Sequence, residues 1–118
     1  MSLVFNTKTY NANSFNASSV DYIGASKTVS TKDDLVLRRT AAKASSVFSG
    51  VGRAQAKLTR TLALTGALTP TGDAIVNIEV SVPVGYTAAD VDTLLNDTGA
   101  LLSGADFKTL VKAQKINY

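Results

Sequence analysis

The clearest pattern in the chain is the alternation in "AIVNIEVSVPVGY" (Ala74–Tyr86). Val76, Ile78, Val80 and Val82 share one side of an extended strand, and Ile75, Asn77, Glu79 and Ser81 share the other. The stretch "QAKLTRTLAL" (Gln55–Leu64) splits in the same way. Leu58, Leu62 and Leu64 go with Ala56 and Arg60, opposite Gln55, Lys57, Thr59 and Thr61. "DLVLRRTAAKA" (Asp34–Ala44) also reads as a strand, but each of its faces carries apolar and basic residues. Leu35 and Leu37 favour the odd positions as core-facing, which puts Arg38 and Thr40 on the polar side. Upstream, "LVFNTKTY" (Leu3–Tyr10) is rich in β-branched and aromatic residues, and "NANS" after it has turn composition. A further extended region covers Phe15–Ile23. "GASKTVSTKDD" reads as a surface connection with room for a short edge strand around Thr28–Val29, and Asp33-Asp34 as part of a polar turn. "SSVFSGVGR" (Ser45–Arg53) reads as a loop and "TGALTPTGD" (Thr65–Asp73) as a long hairpin loop.

After Gly85 the period changes. Val91, Leu94, Leu95, Thr98, Leu101 and Leu102 recur at helical spacing, and Phe107, Leu110 and Val111 form a second, shorter apolar stripe. Thr87 with Asp90, and Ser103 with Asp106, read as helix starts of capping-box type. The expected fold is α+β: antiparallel hairpins forming a β-rich region over 1–86, then two helices over 87–114, in one domain of 118 residues. The helices, roughly 24 and 15 Å long at 1.5 Å per residue, are too small to cover a five- or six-stranded sheet. The pattern therefore predicts an obligate dimer in which the helices of each copy reach over the sheet of the other.

Composition narrows the chemistry. There is no cysteine and no histidine, so disulfides, thiolate chemistry and the commonest general base and metal ligand are all absent. The acid pairs Asp33-Asp34 and Asp90/Asp92 do not converge on one point, and "GVGRAQ" has Gln55 where the third glycine of a dinucleotide loop belongs. The expectation is a protein that is not an enzyme, with no cofactor, no metal site and no small-molecule substrate. No apolar run approaches the length of a membrane span, and the first residues lack the layout of a signal peptide, so no membrane partner is expected. Charge is uneven within the net +3. Eight basic residues lie between Lys27 and Arg60 against only Asp33 and Asp34, and six of the other seven acids lie from Asp73 to Asp106.

With these strands as neighbours, Arg38, Thr40, Gln55, Lys57, Thr59, Thr61, Asn77, Glu79 and Ser81 form one flat surface of cations, amides and hydroxyls, with Lys43 as a further cation. Arg and Lys suit phosphate oxygens, and amides and hydroxyls suit base edges and the 2′-OH. The same face is also what any half-wet antiparallel sheet presents to water.

In order and spacing, "LRRTAAK", "AKLTRTLAL", "IVNIEVSVPVG" and "TAADVDTLLNDTGALL", with a short last helix and a terminal Tyr118, resemble the coat proteins of the small single-stranded RNA bacteriophages. The resemblance covers essentially the whole chain and is one of pattern. It implies an N-terminal β-hairpin, an intertwined homodimer with one continuous sheet, and assembly of dimers into an icosahedral shell in the bacterial cytoplasm. It further implies single-stranded genomic RNA bound on the inner face of the sheet, with repression of replicase translation through an RNA hairpin. Lys57, Thr59, Thr61, Asn77 and Glu79 match the RNA-facing positions. Thr61 stands where some members have Lys, and Ile75 where some have a stacking Tyr. The helix residues Val91, Leu94, Leu95, Leu101, Leu102, Phe107, Leu110 and Val111 become the dimer interface. The loop residues Thr65, Gly66, Thr69, Pro70, Gly72 and Asp73 become contacts around the symmetry axes. The rival reading is a cellular dimeric RNA- or DNA-binding β-sheet module that forms no shell.

Overall fold

The computed structural model describes residues 2–43, 50–66 and 68–116. Six strands, β1 (Ser2–Phe5), β2 (Lys8–Phe15), β3 (Ser19–Gly24), β4 (Asp33–Thr40), β5 (Val51–Ala63) and β6 (Thr71–Pro83), precede two helices, α1 (Ala88–Ser103) and α2 (Ala105–Ala113). The strands form a single antiparallel meander in chain order, every neighbour a hairpin partner. The chain divides between Val84 and Gly85 into the sheet unit and the helical unit.

Several boundaries differ from those expected. Leu3–Tyr10 is not one strand. Asn6 and Thr7 both adopt positive φ, 49° and 61°, and turn the chain between the paired Phe5 and Lys8. Two positive-φ residues are what a two-residue hairpin needs to match the strand twist, and a β-branched Thr is an uncommon occupant. "NANS" lies inside β2, where Ala12 and Ser14 face Tyr22 and Asp21 across a one-residue bulge at Asn13. Thr28–Val29 forms no strand. The Thr28 amide donates to the Thr31 carbonyl, and the Thr31 hydroxyl to the Ser26 carbonyl, closing a tight turn instead. The strand expected over Asp34–Ala44 ends at Thr40, and Ala44 lies outside the described residues. Much of the expected Ser45–Arg53 loop lies there too, but Val51–Arg53 already belong to β5. The loop expected over Thr65–Asp73 is shorter: β6 begins at Thr71, so Gly72 and Asp73 are strand residues opposite Leu62 and Thr61.

The core lies on the apolar side of the sheet. Tyr10, Tyr22 and Leu35 are buried there, with Leu3, Phe5, Ala12, Val20, Leu37 and Leu58 against them. The Phe5 ring stacks on Tyr10 at 5.0 Å between centroids. Asp33, expected in a polar turn, is a buried strand residue. Its carboxylate accepts from the Tyr10 hydroxyl at 2.7 Å and from Arg60 Nε at 3.3 Å, and the Arg60 guanidinium also donates to the Tyr10 oxygen at 2.5 Å. Burial pushes the Tyr10 phenol above its usual pKa, outweighing the guanidinium that pulls it down, so the residue remains a neutral donor.

The helices begin as Thr87 and Gly104 leave extended geometry, but neither start has a side-chain cap. Asp90 lies in the first turn of α1 and Asp106 in that of α2, where the helix dipole favours acids. The Ser103 hydroxyl, expected to cap α2, donates back to the Gly99 carbonyl at 3.0 Å within α1. Neither helix contains a fully buried residue.

Gly24 faces Tyr10 across the β2–β3 pair, and a Cβ there would run into the Asp33 carboxylate, 2.6 Å from Cγ, and into the Tyr10 ring at 2.9 Å. Gly24→Ala is expected to lower stability by about 1–3 kcal/mol, read as a lower urea midpoint. Gly52→Ala, whose new methyl meets only the Val82 carbonyl at 3.9 Å, is expected to leave it near that of the native protein.

Candidate nucleic-acid interface

Directly paired residues of an antiparallel sheet put their side chains on the same side, so the ladder registers sort the polar face into rows. Ser19, Arg38, Gln55 and Glu79 form one row across β3 to β6. Asp21, Val36, Lys57 and Asn77 form the next, and Ile23, Asp34, Thr59 and Ile75 the one after. Thr40, Arg53 and Ser81 line up beyond the first row, and Thr61 pairs with Asp73 at the far end. Arg38, Thr40, Gln55, Lys57, Thr59, Thr61, Asn77 and Glu79 therefore share one surface, and the odd residues of β4 face the core as expected. Lys43 does not join it as a strand residue, because β4 stops at Thr40; it is an exposed residue of the following connection. Arg53 does join it, though Gly50 and Gly52 just before it suggested a loop. Extending the odd-numbered alternation of Gln55, Lys57 and Thr59 by one step would have found it.

Two electrostatic regimes divide this face. At the Thr61 end, charges are tied down. The Thr61 hydroxyl donates to Asp73 at 2.9 Å and accepts from the Lys32 amide at 2.8 Å, Lys32 Nζ lies 3.2 Å from the Asp73 carboxylate, and Lys27 pairs with Asp34 at 3.0 Å. The Thr61 hydroxyl, and then Lys32, hold the Asp73 carboxyl below its ordinary range. At the other end, Arg38, Arg53 and Lys57 enter no ion pair with any described residue. Gln55 Nε2 donates to Asn77 Oδ1 at 2.8 Å, fixing two amides side by side between these cations. The polar rim by β3 and the ends of β4 and β5 encloses a depression of about 490 Å3 that includes Arg38, Arg53, Gln55 and Glu79. No described residue of the sheet's polar face is aromatic, and Ile75 is 58% exposed where a stacking ring was looked for. Among the described residues no group of His, Cys, Asp and Glu could hold a metal ion, and no helix is long and apolar enough to cross a membrane.

No family model and no curated protein matches the chain. Solved structures do. A chain of the virus-like particle of Beihai levi-like virus 32 superposes with a TM-score of 0.81 at 14% identity, over 96% of this chain and 91% of that one. The virus-like particle of bacteriophage AVE019 gives 0.78 at 17% identity, over 100% and 96%. That of Beihai levi-like virus 21 gives 0.74 at 15%, over 100% and 95%. The fold is that of the levi-like coat proteins. In this coat-protein fold the strand meander and both helices are matched together, so the likeness extends well beyond one hairpin.

Because the Asp73 carboxyl is lowered, its ionised links to Thr61 and Lys32 are complete above the ordinary carboxylate range and are lost as pH falls through the lowered value. Thr61→Val removes the main cause. The Asp73 carboxyl resonance, followed by NMR, is expected to titrate at higher pH in that variant, whereas Thr61→Ser keeps the native midpoint.

Proposed function

We propose that this chain is the coat protein of an RNA bacteriophage particle, pairing as a homodimer, assembling into an icosahedral shell and packaging single-stranded RNA against the polar face of its sheet. The observation that carries the reading is the cluster of Arg38, Arg53 and Lys57, cations in no ion pair with a described residue, beside the paired amides of Gln55 and Asn77, on one face of a sheet whose fold occurs in virus-like particles. Phosphate contacts from such cations give affinity without sequence information, as packaging of a long genome requires.

The pairing of copies draws its support from what the chain leaves uncovered. On α1, Leu94, Leu95 and Leu101 are 51%, 47% and 60% exposed, and Val111 on α2 is 59% exposed. They continue the stripe formed by the half-buried Val91, Leu102, Phe107 and Leu110. On the apolar side of the sheet, Leu62 and Val76 are also about half exposed. Exposed apolar residues grouped in this way, on the helix pair and separately on the sheet, mark interaction sites rather than ordinary wet faces. A second copy, through an intertwined dimer, supplies the cover. In the shell, Thr65, Gly66, Thr69 and Pro70 of the β5–β6 connection, with Gly72 and Asp73 at the start of β6, make the contacts around the symmetry axes. The role is structural rather than catalytic, the location is the virion, and assembly takes place in the host cytoplasm. Repression of translation through a bound hairpin is the finer function that this face would serve.

Expression of the chain alone in bacteria, followed by negative-stain microscopy and extraction of nucleic acid, is expected to give uniform closed shells containing RNA. Dimers that never close into shells under any salt or protein concentration would instead favour the RNA- or DNA-binding module. Lys57→Ala is expected to weaken RNA binding for all sequences alike and to reduce the slope of log affinity against log salt by about 1. An unchanged slope would place the RNA elsewhere.

A further inference from the structure

Four carboxylates stand on the polar face of the sheet among the described residues, and three of them are engaged. Asp21 accepts from the Ser14 hydroxyl at 3.1 Å, Asp34 pairs with Lys27, and Asp73 is held by Thr61 and Lys32. Glu79 has neither an ion pair nor a hydrogen bond to any described residue. It is exposed and shares its row with Arg38 and Gln55. A lone acid among cations on a surface read as binding a polyanion weakens phosphate contacts nearby, so its presence calls for a role that phosphate does not supply.

The depression around Glu79 suggests that role. Its volume of about 490 Å3 falls within the range of roughly 300–1,000 Å3 common to small-ligand sites. Arg38 and Arg53 line it together with Gln55, Asn16 and Ser19. Asn16 Oδ1 is committed to the amides of Ser18 and Ser19, which holds that wall in place. Gln55 Nε2 is committed to Asn77, leaving Gln55 Oε1 as a further acceptor. The site thus combines cationic walls with acceptors in its lining.

A carboxylate presents two acceptor oxygens side by side. Guanine is the one RNA base whose pairing edge offers two adjacent donors, N1–H and the N2 amino group. Adenine and cytosine each set one amino group beside an unprotonated ring nitrogen that repels a carboxylate, and the single imide N–H of uracil is flanked by two carbonyls. Bases of single-stranded RNA are read through such edges once they are unstacked. We propose that the depression receives one unstacked guanine of a single-stranded RNA. Glu79 accepts from N1–H and the N2 amino group, and Arg38 and Arg53 meet the adjoining phosphates. The assignment rests on the RNA reading above and makes Glu79 the residue that sets base preference at this site.

Fluorescence anisotropy with the full-length protein tests it. The probes are an all-uridine single strand, the same strand with one central guanosine, and the same strand with inosine there, which lacks the N2 amino group. The guanosine strand is expected to bind about tenfold tighter than the all-uridine strand, as a bidentate base contact provides, and inosine is expected to forfeit most of that gain. In Glu79→Gln, the guanosine and all-uridine strands are expected to bind alike. Equal affinity of the native protein for the guanosine and all-uridine strands overturns the assignment, and so does a guanosine preference that survives in Glu79→Gln. If none of the strands binds, the RNA reading itself fails, and this assignment fails with it.

Discussion

The register of β5 against β6 is the constraint on which the rest depends. Thirteen consecutive pairs run from Val51 with Pro83 to Ala63 with Thr71, the longest uninterrupted ladder in the sheet. Side chains alternate at every step, so sliding β5 by a single residue would move Leu58 to the wet side and turn Lys57 toward the core. Leu58, packed against Leu35 and the two buried tyrosines, opposes such a slip through burial. The polar face is therefore held in order by residues on the other side of the sheet. Arg38, Lys57 and Asn77 keep their spacing because Leu35, Leu58 and Ile78 keep theirs.

The Tyr10, Asp33 and Arg60 cluster fixes the same order across the remaining strands. It joins β2, β4 and β5 by side chains where backbone pairing joins only neighbours. A buried carboxylate is expensive to desolvate, and taking away one partner of such a pair leaves an uncompensated charge. Here the phenol and the guanidinium both meet Asp33 Oδ1. Charge inside the apolar side and charge on the polar face have separate tasks: the first aligns strands, and the second remains available to a ligand.

Much of this was legible in the chain itself. The faces of β5 and β6 and the extents of both helices follow from period alone, because each of these segments has a strong apolar signal on one side, whereas β4, mixed on both faces, was oriented only by the preference of Leu35 and Leu37 for the core. Lys57, Thr59, Thr61, Asn77 and Glu79 were found in this way. Arg53 was missed because Gly50 and Gly52 signal a turn, although only Gly50 has the positive φ that needs a glycine. Asp33 was placed in a polar turn because burial of an acid depends on Tyr10 and Arg60, 23 and 27 residues away in the chain, which local pattern cannot weigh. The first hairpin was hidden because Asn-Thr lacks the usual turn glycine. Lys43 was counted into the strand because a strand's end is set by loss of partners, and nothing in "TAAK" marks that loss.

The bulge at Asn13 acts as a parity corrector. One surplus residue sits between the pairs Ala12–Tyr22 and Ser14–Asp21, so Phe15 falls opposite Val20 on the apolar side. In an unbulged ladder Phe15 would project among the polar residues, and Ser14 would point into the core. The outer part of the sheet can thus absorb a single insertion without exchanging inside for outside downstream, a freedom that the unbroken β5–β6 ladder does not have. Changes of length in such a chain should accumulate near β2, while β5 and β6 should drift by substitution alone.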